Sequence, residues 1–235
     1  MSKSELIIFR SSRQEFTQTL PGGQREVNQV KLLGLHIDNS YRFTTHTDKV
    51  CQKLRFKIAN LNRVRPYLPQ EKARMLTDSL VISTIGYMGV LYLRLPQNQK
   101  RVQKLLNQAC RSVLRHADKR THIEDMLLEL YWLNTRNHYE YLLICAMRRL
   151  RVGLMKAPDT VKELVINGDS RLMRRNDLKV VWTRMNSHGH NSFLANATKA
   201  YNKYCLNTEY FESENEFKVQ LKLRCFSRNQ NGNIT

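Results

Sequence analysis

Acid is what this chain most conspicuously lacks. Twenty Asp and Glu face 39 Lys and Arg over 235 residues, a net charge of +19. Such a surplus points to a polyanionic partner, most simply nucleic acid, and says nothing of the fold. Glycine (nine) and proline (five) are also scarce, which disfavours an all-β architecture with many turns. No apolar run approaches the 18 residues of a membrane helix, so no membrane association is expected. The segment after Met1 holds only four apolar residues before Arg10, unlike a signal peptide. The five cysteines are scattered and odd in number, forming neither a disulfide framework nor a zinc pattern. An intracellular setting, nucleus or cytoplasm, is therefore expected.

What is present is enough apolar residue, 41%, for a real core, in one large domain or two or three small ones. Residues 5–9 read as a short buried strand and residues 27–37 as a second, the two pairing as a hairpin across a long loop. From Thr45 the period becomes helical: Val50, Leu54, Ile58 and Leu61 share a face, and Pro66 and Pro69 close that helix. A second helix covers Glu71 to about Tyr87, with Met75, Leu76, Leu80 and Ile85 inward. A third runs from Pro96 to about His116, with Val102, Leu105, Leu106, Ala109 and Val113 inward. Thr121 and Glu124 have capping-box spacing. A helix through Tyr139, Leu142, Leu143, Ala146 and Leu150 ends at Gly153. Shorter helices are expected over Thr160–Ile166, Phe193–Tyr204 and Glu214–Phe226, with a loop at 186–192. The expected fold is mainly α with a small N-terminal β-hairpin (α+β).

The charge pattern is the most informative functional signal. Arg101, Lys104, Gln108, Arg111 and Arg115 fall on one narrow face of the third helix, with no acid between them. Lys49, Lys53, Asn60 and Arg63 do the same on the first. A cationic stripe on a rigid helix suits regularly spaced phosphates, and each one neutralised releases counterion. A merely solvated face is the plain alternative. Tyr41, Phe43, Tyr67 and Tyr92 lie near basic residues and could stack on bases, or belong to the core. His188-Gly-His190 lacks nearby partners for a metal site, and His36 and His46 suit packing or capping. Asp38, at a strand end, is a turn former or a lone carboxylate. With no Asp-Asp pair, no Gly-x-Ser-x-Gly and no phosphate-loop lysine motif, no catalytic residue is expected.

Lys3-Ser4-Glu5-Leu6-Ile7-Ile8-Phe9, followed by Val30-Lys31-Leu32-Leu33-Gly34-Leu35-His36-Ile37-Asp38, resembles the end of the palm of non-LTR (LINE-type) retrotransposon reverse transcriptases. The similarity runs on through Phe43, His46, Val50, Lys53, Leu61 and Arg63. It continues at Ser79-Leu80-Val81, Tyr87, Asn107-Gln108-Ala109-Cys110-Arg111, His122-Ile123, Leu130-Tyr131-Trp132-Leu133 and Arg136. It ends at Ala157-Pro158, Leu164, Arg171 and Phe217-Lys218-x-x-Leu221-Lys222. Tyr92 and Tyr201-Asn202-Lys203 depart from the family pattern. The resemblance implies a palm remnant with a primer-gripping hairpin over residues 1–42, a three-helix thumb over 43–118 and a helical C-terminal extension over 119–235. It implies nucleic-acid contacts at Lys31, Gly34, Lys49, Lys53, Arg63, Arg101, Lys104, Gln108, Arg111 and Arg115, made to the backbones of an RNA–DNA hybrid or duplex without reading sequence.

The family's catalytic aspartates, in a Tyr/Phe-x-Asp-Asp segment, have no counterpart here. The chain is therefore expected to be a C-terminal fragment of an RNA-directed DNA polymerase, inactive alone. It would bind no cofactor, Mg²⁺ belonging to the full-length polymerase, and the missing polymerase domains are potential partners. Lys3 falls on a late-palm position linked to pyrophosphate departure, a role not expected without the metals. The alternative from another class is a host-recruited basic helical module that binds nucleic acid or a protein's acidic face and catalyses nothing.

Overall fold

A computed structural model describes residues 5–9, 25–115, 122–159, 165–167, 178–180, 192–204, 211 and 213–231. The chain is mainly helical, with a small two-stranded antiparallel sheet near its N-terminus. It divides into two compact units, Met1–Lys119 and Arg120–Thr235.

In the first unit, β1 (Glu5–Leu6) pairs in parallel with β2 (Arg25–Glu26). The stretch expected as one strand folds back on itself, as β3 (Gln29–Leu32) and β4 (Leu35–Asp38), in the register Gln29↔Asp38 to Leu32↔Leu35. The cause is the two-residue turn Leu33-Gly34. Both residues have positive φ (48° and 84°), the primed geometry that matches strand twist. The expected pairing of residues 5–9 with 27–37 is thereby corrected: the hairpin is local.

Helix α1 (Thr44–Val64) buries Val50, Leu54, Ile58 and Leu61 as its period requires. A 3₁₀ turn at Arg65–Tyr67 and Pro69 separate it from α2 (Gln70–Thr77), which continues through a π-helical turn (Asp78–Ile82) into α3 (Ser83–Gly86). The buried row there is Ala73, Thr77, Val81 and Ile85, every fourth residue. An α-helix would rotate such a row by about 40° per step, and the π turn absorbs that drift. Met75, expected inside, is exposed, and Leu76 and Leu80 are half-buried. The Lys57 ammonium of α1 donates to the Leu80 carbonyl (3.0 Å) and the Thr84 hydroxyl (2.6 Å), capping the backbone within this turn.

After α4 (Gly89–Tyr92), α5 (Pro96–Leu114) packs against α1 and buries all five of its expected apolar residues. The two helices run parallel. Arg101 bonds Asp48 near their N-termini, and Ser112 bonds Asn62 near their C-termini. Buried Arg65 ties the far end shut: Nε and Nη2 donate to the Val113 carbonyl (3.0 and 2.6 Å), and Nη1 to Leu68 (2.6 Å).

In the second unit, α6 (Ile123–Glu129) leads to buried Trp132 and Leu133, then to α7 (Thr135–Arg151). The Asn134 side chain accepts the Asn137 amide (2.8 Å) and starts α7, which gives way to Gly153 at φ 76°. Helices α8 (Phe193–Tyr204) and α9 (Glu214–Asn231) pack on α7. The capping-box spacing is used at Ser213-x-x-Glu216, where the Ser213 hydroxyl accepts the Glu216 amide (3.0 Å). The box expected at Thr121 lies outside the described residues, as do Lys3, Cys205, the 186–191 loop and residues 160–164. The helix expected to reach Ile166 is corrected: Val165–Asn167 forms a strand, β5, antiparallel to β6 (Leu178–Val180). Two adjacent β-branched residues, Val165 and Ile166, favour that choice.

Replacing Arg65 by Met leaves the Val113 carbonyl without its two guanidinium donors. Urea unfolding should show a loss of about 2–3 kcal/mol. A loss within 0.5 kcal/mol of zero would mean that the guanidinium does not close the α1–α5 end.

Candidate nucleic-acid interface

Helix α1 presents the clearest cationic surface. Lys49, Lys53 and Arg63 are exposed and Asn60 half-exposed, on the face opposite the buried row. Phe56, 68% exposed, stands among them and is absent from the cationic pattern drawn from the sequence. Its signal was its place: residues 49, 53, 56, 60 and 63 repeat at spacings of 4, 3, 4 and 3. The lone acid of α1, Asp48, lies off this face and is bonded to Arg101. Lys49 and Arg63 are about 21 Å apart along the axis.

The α5 stripe is less uniform than its sequence suggests. Lys104 and Gln108 are exposed and Arg111 is half-buried. Arg101 is committed to Asp48, so the stripe is not free of acid in space, although no acid interrupts it in sequence. Arg115 leaves the helical path with φ 55°. Its Nη2 donates to the Arg65 and Pro66 carbonyls, each at 3.0 Å. It seals the end of the bundle instead of extending the stripe.

Lys31 and Gly34 belong to the hairpin. Gly34 sits beneath Tyr87, whose hydroxyl would lie 3.6 Å from an added Cβ and donates to the Leu33 carbonyl. Its positive φ and this approach give Gly34 a backbone reason for being glycine. Lys31 pairs across the strands with His36. β4 packs on α1, and there the His36 amide donates to Nδ1 of His46 (3.4 Å), the two rings 6.4 Å apart. Lys31, Lys49 and Lys53 thus gather around His36. Partial burial and then the charges of Lys49, Lys31 and Lys53 lower its pKa. Arg63 lies about 15 Å beyond Lys53 along α1, and Lys104, Gln108 and Arg111 belong to α5.

Asp38 is a helix-start residue. Its carboxylate accepts the Ser40 hydroxyl (2.7 Å) and the Arg42 amide (2.9 Å) just before α1. Although burial opposes ionisation, these bonds and the nearby Phe43 and Thr44 amides hold its pKa below the usual value. Of the four aromatics considered for stacking, Phe43 and Tyr92 are core. Tyr41 stacks on Phe9 (4.1 Å between centroids), and Tyr67 is 85% exposed. His46 is buried edge-on against Tyr92. Among the described residues no group of His, Cys, Asp or Glu is arranged to hold a metal. Cys51, Cys110 and Cys225 are buried, and burial pushes the Cys110 thiol up to about 12. No helix described is long and apolar enough to cross a membrane. Comparison with protein-family models, curated proteins and solved structures finds no match to the chain.

Burial lowers the His46 pKa to about 4, assisted by the His36 and Lys53 charges. At pH 7.5 the ring is neutral whether the chain is folded or not. As pH falls through about 6.5, the unfolded chain binds a proton that the folded ring refuses until about 4. Stability should therefore fall between pH 7 and 4.5, by on the order of 2 kcal/mol for this group. His36 adds in the same direction, while Asp38 titrates below this window. Urea unfolding of residues 1–119 within the intact chain, followed by amide exchange at the two pH values, reads the effect. A His46→Gln chain, which keeps an acceptor for the His36 amide, should respond less. Equal responses would remove His46 as the cause.

Proposed function

We propose that the chain binds double-helical nucleic acid of the template–primer kind, an RNA–DNA hybrid or duplex, without reading its sequence. The observation that carries this is the outer face of α1: Lys49, Lys53 and Arg63 are exposed on one rigid helix, with no acid on that face. Lys31 on the hairpin and Lys104 with Gln108 on α5 add exposed donors. Cations carried on one face of a rigid helix can meet several phosphates together, and each phosphate neutralised releases counterion. The resemblance to non-LTR reverse transcriptases supports the same role, with the hairpin at the primer end and α1 and α5 along the duplex. In this proposal polymerisation requires the aspartate-bearing palm and its Mg²⁺, supplied by other parts of the polymerase.

A salt titration of binding to an RNA–DNA hybrid, with duplex DNA, duplex RNA and an acidic protein as competitors, tests the proposal. A steep decline of log affinity with log salt is expected, along with preference for the hybrid. Lys49→Ala and Lys53→Ala should each flatten the slope by about 0.9, the value of one lost phosphate contact. Arg115→Ala should lower stability and leave the slope unchanged, because Arg115 serves backbone carbonyls. Unchanged slopes in both lysine variants, or displacement by the acidic protein as readily as by duplex, would sink the proposal.

A further inference from the structure

The junction of the hairpin and α1 collects more positive charge than its own fold uses. Lys31 and His36 are cross-strand partners next to the closing pair of the turn, so their side chains leave the same face of the hairpin. The His36 ring lies 6.4 Å from that of His46, in the first turn of α1. Lys49 and Lys53 follow on the same side of that helix, one and two turns further on. Both lysines and Lys31 are exposed, and among the described residues none has a carboxylate partner. The nearest acids in sequence are both occupied, Asp38 by the turn that starts α1 and Asp48, beside Lys49, by Arg101. Tyr87, near the hairpin turn, donates to the Leu33 carbonyl. Four basic groups from two strands and a helix therefore converge with no anion of their own.

The hydrogen bonds also set the state of His36. Gln29 Nε2 lies 2.8 Å from His36 Nδ1; with the amide in this orientation it donates, and the proton of the neutral ring is then on Nε2. The ring is half-buried, and the three lysines oppose a second proton. An anion in their midst reverses that opposition, since it screens the lysines and attracts an imidazolium. The Gln29 amide can then turn its oxygen toward a protonated Nδ1. His46 cannot replace His36, because it is buried against Tyr92 and its Nδ1 is held by the His36 amide.

We propose that Lys31, His36, Lys49 and Lys53 form a single phosphate-binding site at which His36 takes up a proton from solvent as the phosphate docks. The site deepens the duplex-binding function proposed above, and would make one of its backbone contacts sensitive to pH. The ligand chemistry is a phosphate group, which a nucleic-acid backbone or free phosphate can provide.

Two measurements on the intact chain test it. First, the imidazole carbon signals are followed by NMR from pH 5 to 8.5, with and without inorganic phosphate. The His36 midpoint should lie below 6.5 alone and rise by about one unit with phosphate, equivalent to about tenfold tighter phosphate binding to the protonated form. In a chain carrying Lys31→Ala, Lys49→Ala and Lys53→Ala the rise should vanish. Second, hybrid binding is measured at pH 8 and 5.5. It should tighten about fivefold at the lower pH beyond the change seen for His36→Gln, with proton uptake detected calorimetrically in buffers of different ionisation enthalpy. A His36 midpoint that phosphate leaves unmoved overturns the site, as does equal pH dependence of hybrid binding in wild type and His36→Gln. If phosphate moves the midpoint but no hybrid binds at any pH, the site stands for free phosphate and the duplex function fails.

Discussion

In a chain with 39 cations and 20 carboxylates, the two buried arginines described, Arg65 and Arg148, are hydrogen-bonded to backbone carbonyls. The structure answers cations at every depth with backbone carbonyls: Arg65 and Arg148 are buried, Lys57 half-buried, Arg115 and Arg224 exposed. Arg65 bonds the Val113 and Leu68 carbonyls, Arg115 those of Arg65 and Pro66, and Lys57 that of Leu80. In the second unit Arg148 is buried, bonds the Phe211 and Ser213 carbonyls, and lies 4.3 Å from the centroid of the Phe217 ring. Arg224 bonds the carbonyl of Tyr204. A carbonyl carries only a partial charge, so each guanidinium keeps most of its field. It is nevertheless hydrogen-bonded, which is the condition for tolerable burial. Some of these carbonyls, those of Val113 and Tyr204, lie at helix C-termini, where the backbone ladder leaves oxygens over.

This solution divides the cations by place more than by kind, since Lys57 bonds a carbonyl and Arg63 is exposed. Arginine, planar and weakly hydrated, closes helix ends where its fork can span two carbonyls. The lysines at positions 31, 49, 53 and 104 remain in water. Three carboxylates serve fixed structural duties: Asp48 holds Arg101, Asp38 starts α1, and Glu140 receives both Lys203 and Tyr204. Acid is thus spent on positioning, and the exposed face of α1 goes without. The same bonds mark the parallel run of α1 and α5, Asp48–Arg101 at one end of the pair and Arg65–Val113 at the other.

The sequence made the helices legible wherever apolar spacing was strict. The buried rows of α1 and α5 are those that a 3.6 period selects, since packing and period agree. Where they disagree, sequence reasoning failed in a specific way. The row Ala73, Thr77, Val81 and Ile85 follows a spacing of four, made possible by a π turn that no residue announces, so a 3.6 period wrongly places Met75 in the core. Val30 to Ile37 looks like one continuous strand because its apolar residues bridge a turn, and only Gly34 marks the reversal. The candidate site was half legible. Each cationic face could be drawn on a helical wheel. The partners of Arg101 and Arg115, however, sit about 50 residues away in sequence and belong to tertiary structure. The meeting of Lys31 and His36 with Lys49 and Lys53 likewise required the hairpin to be placed against α1.

Crowding cations at that junction opposes folding, because like charges repel and His46 must stay neutral among them. Burial of Leu35 and Phe43 with Val50 and Leu54 near the hairpin–helix junction works against the repulsion through apolar area, which charge does not screen. A bound phosphate would relieve the same repulsion directly. Stability and ligand binding are then linked at one place: whatever anion lowers the potential around His36 also holds β4 to α1 through the His36 amide and His46. On this physical basis the hairpin should be the part of the first unit most tightened by nucleic acid. The Arg65 end of the bundle, already satisfied by carbonyls, should gain least.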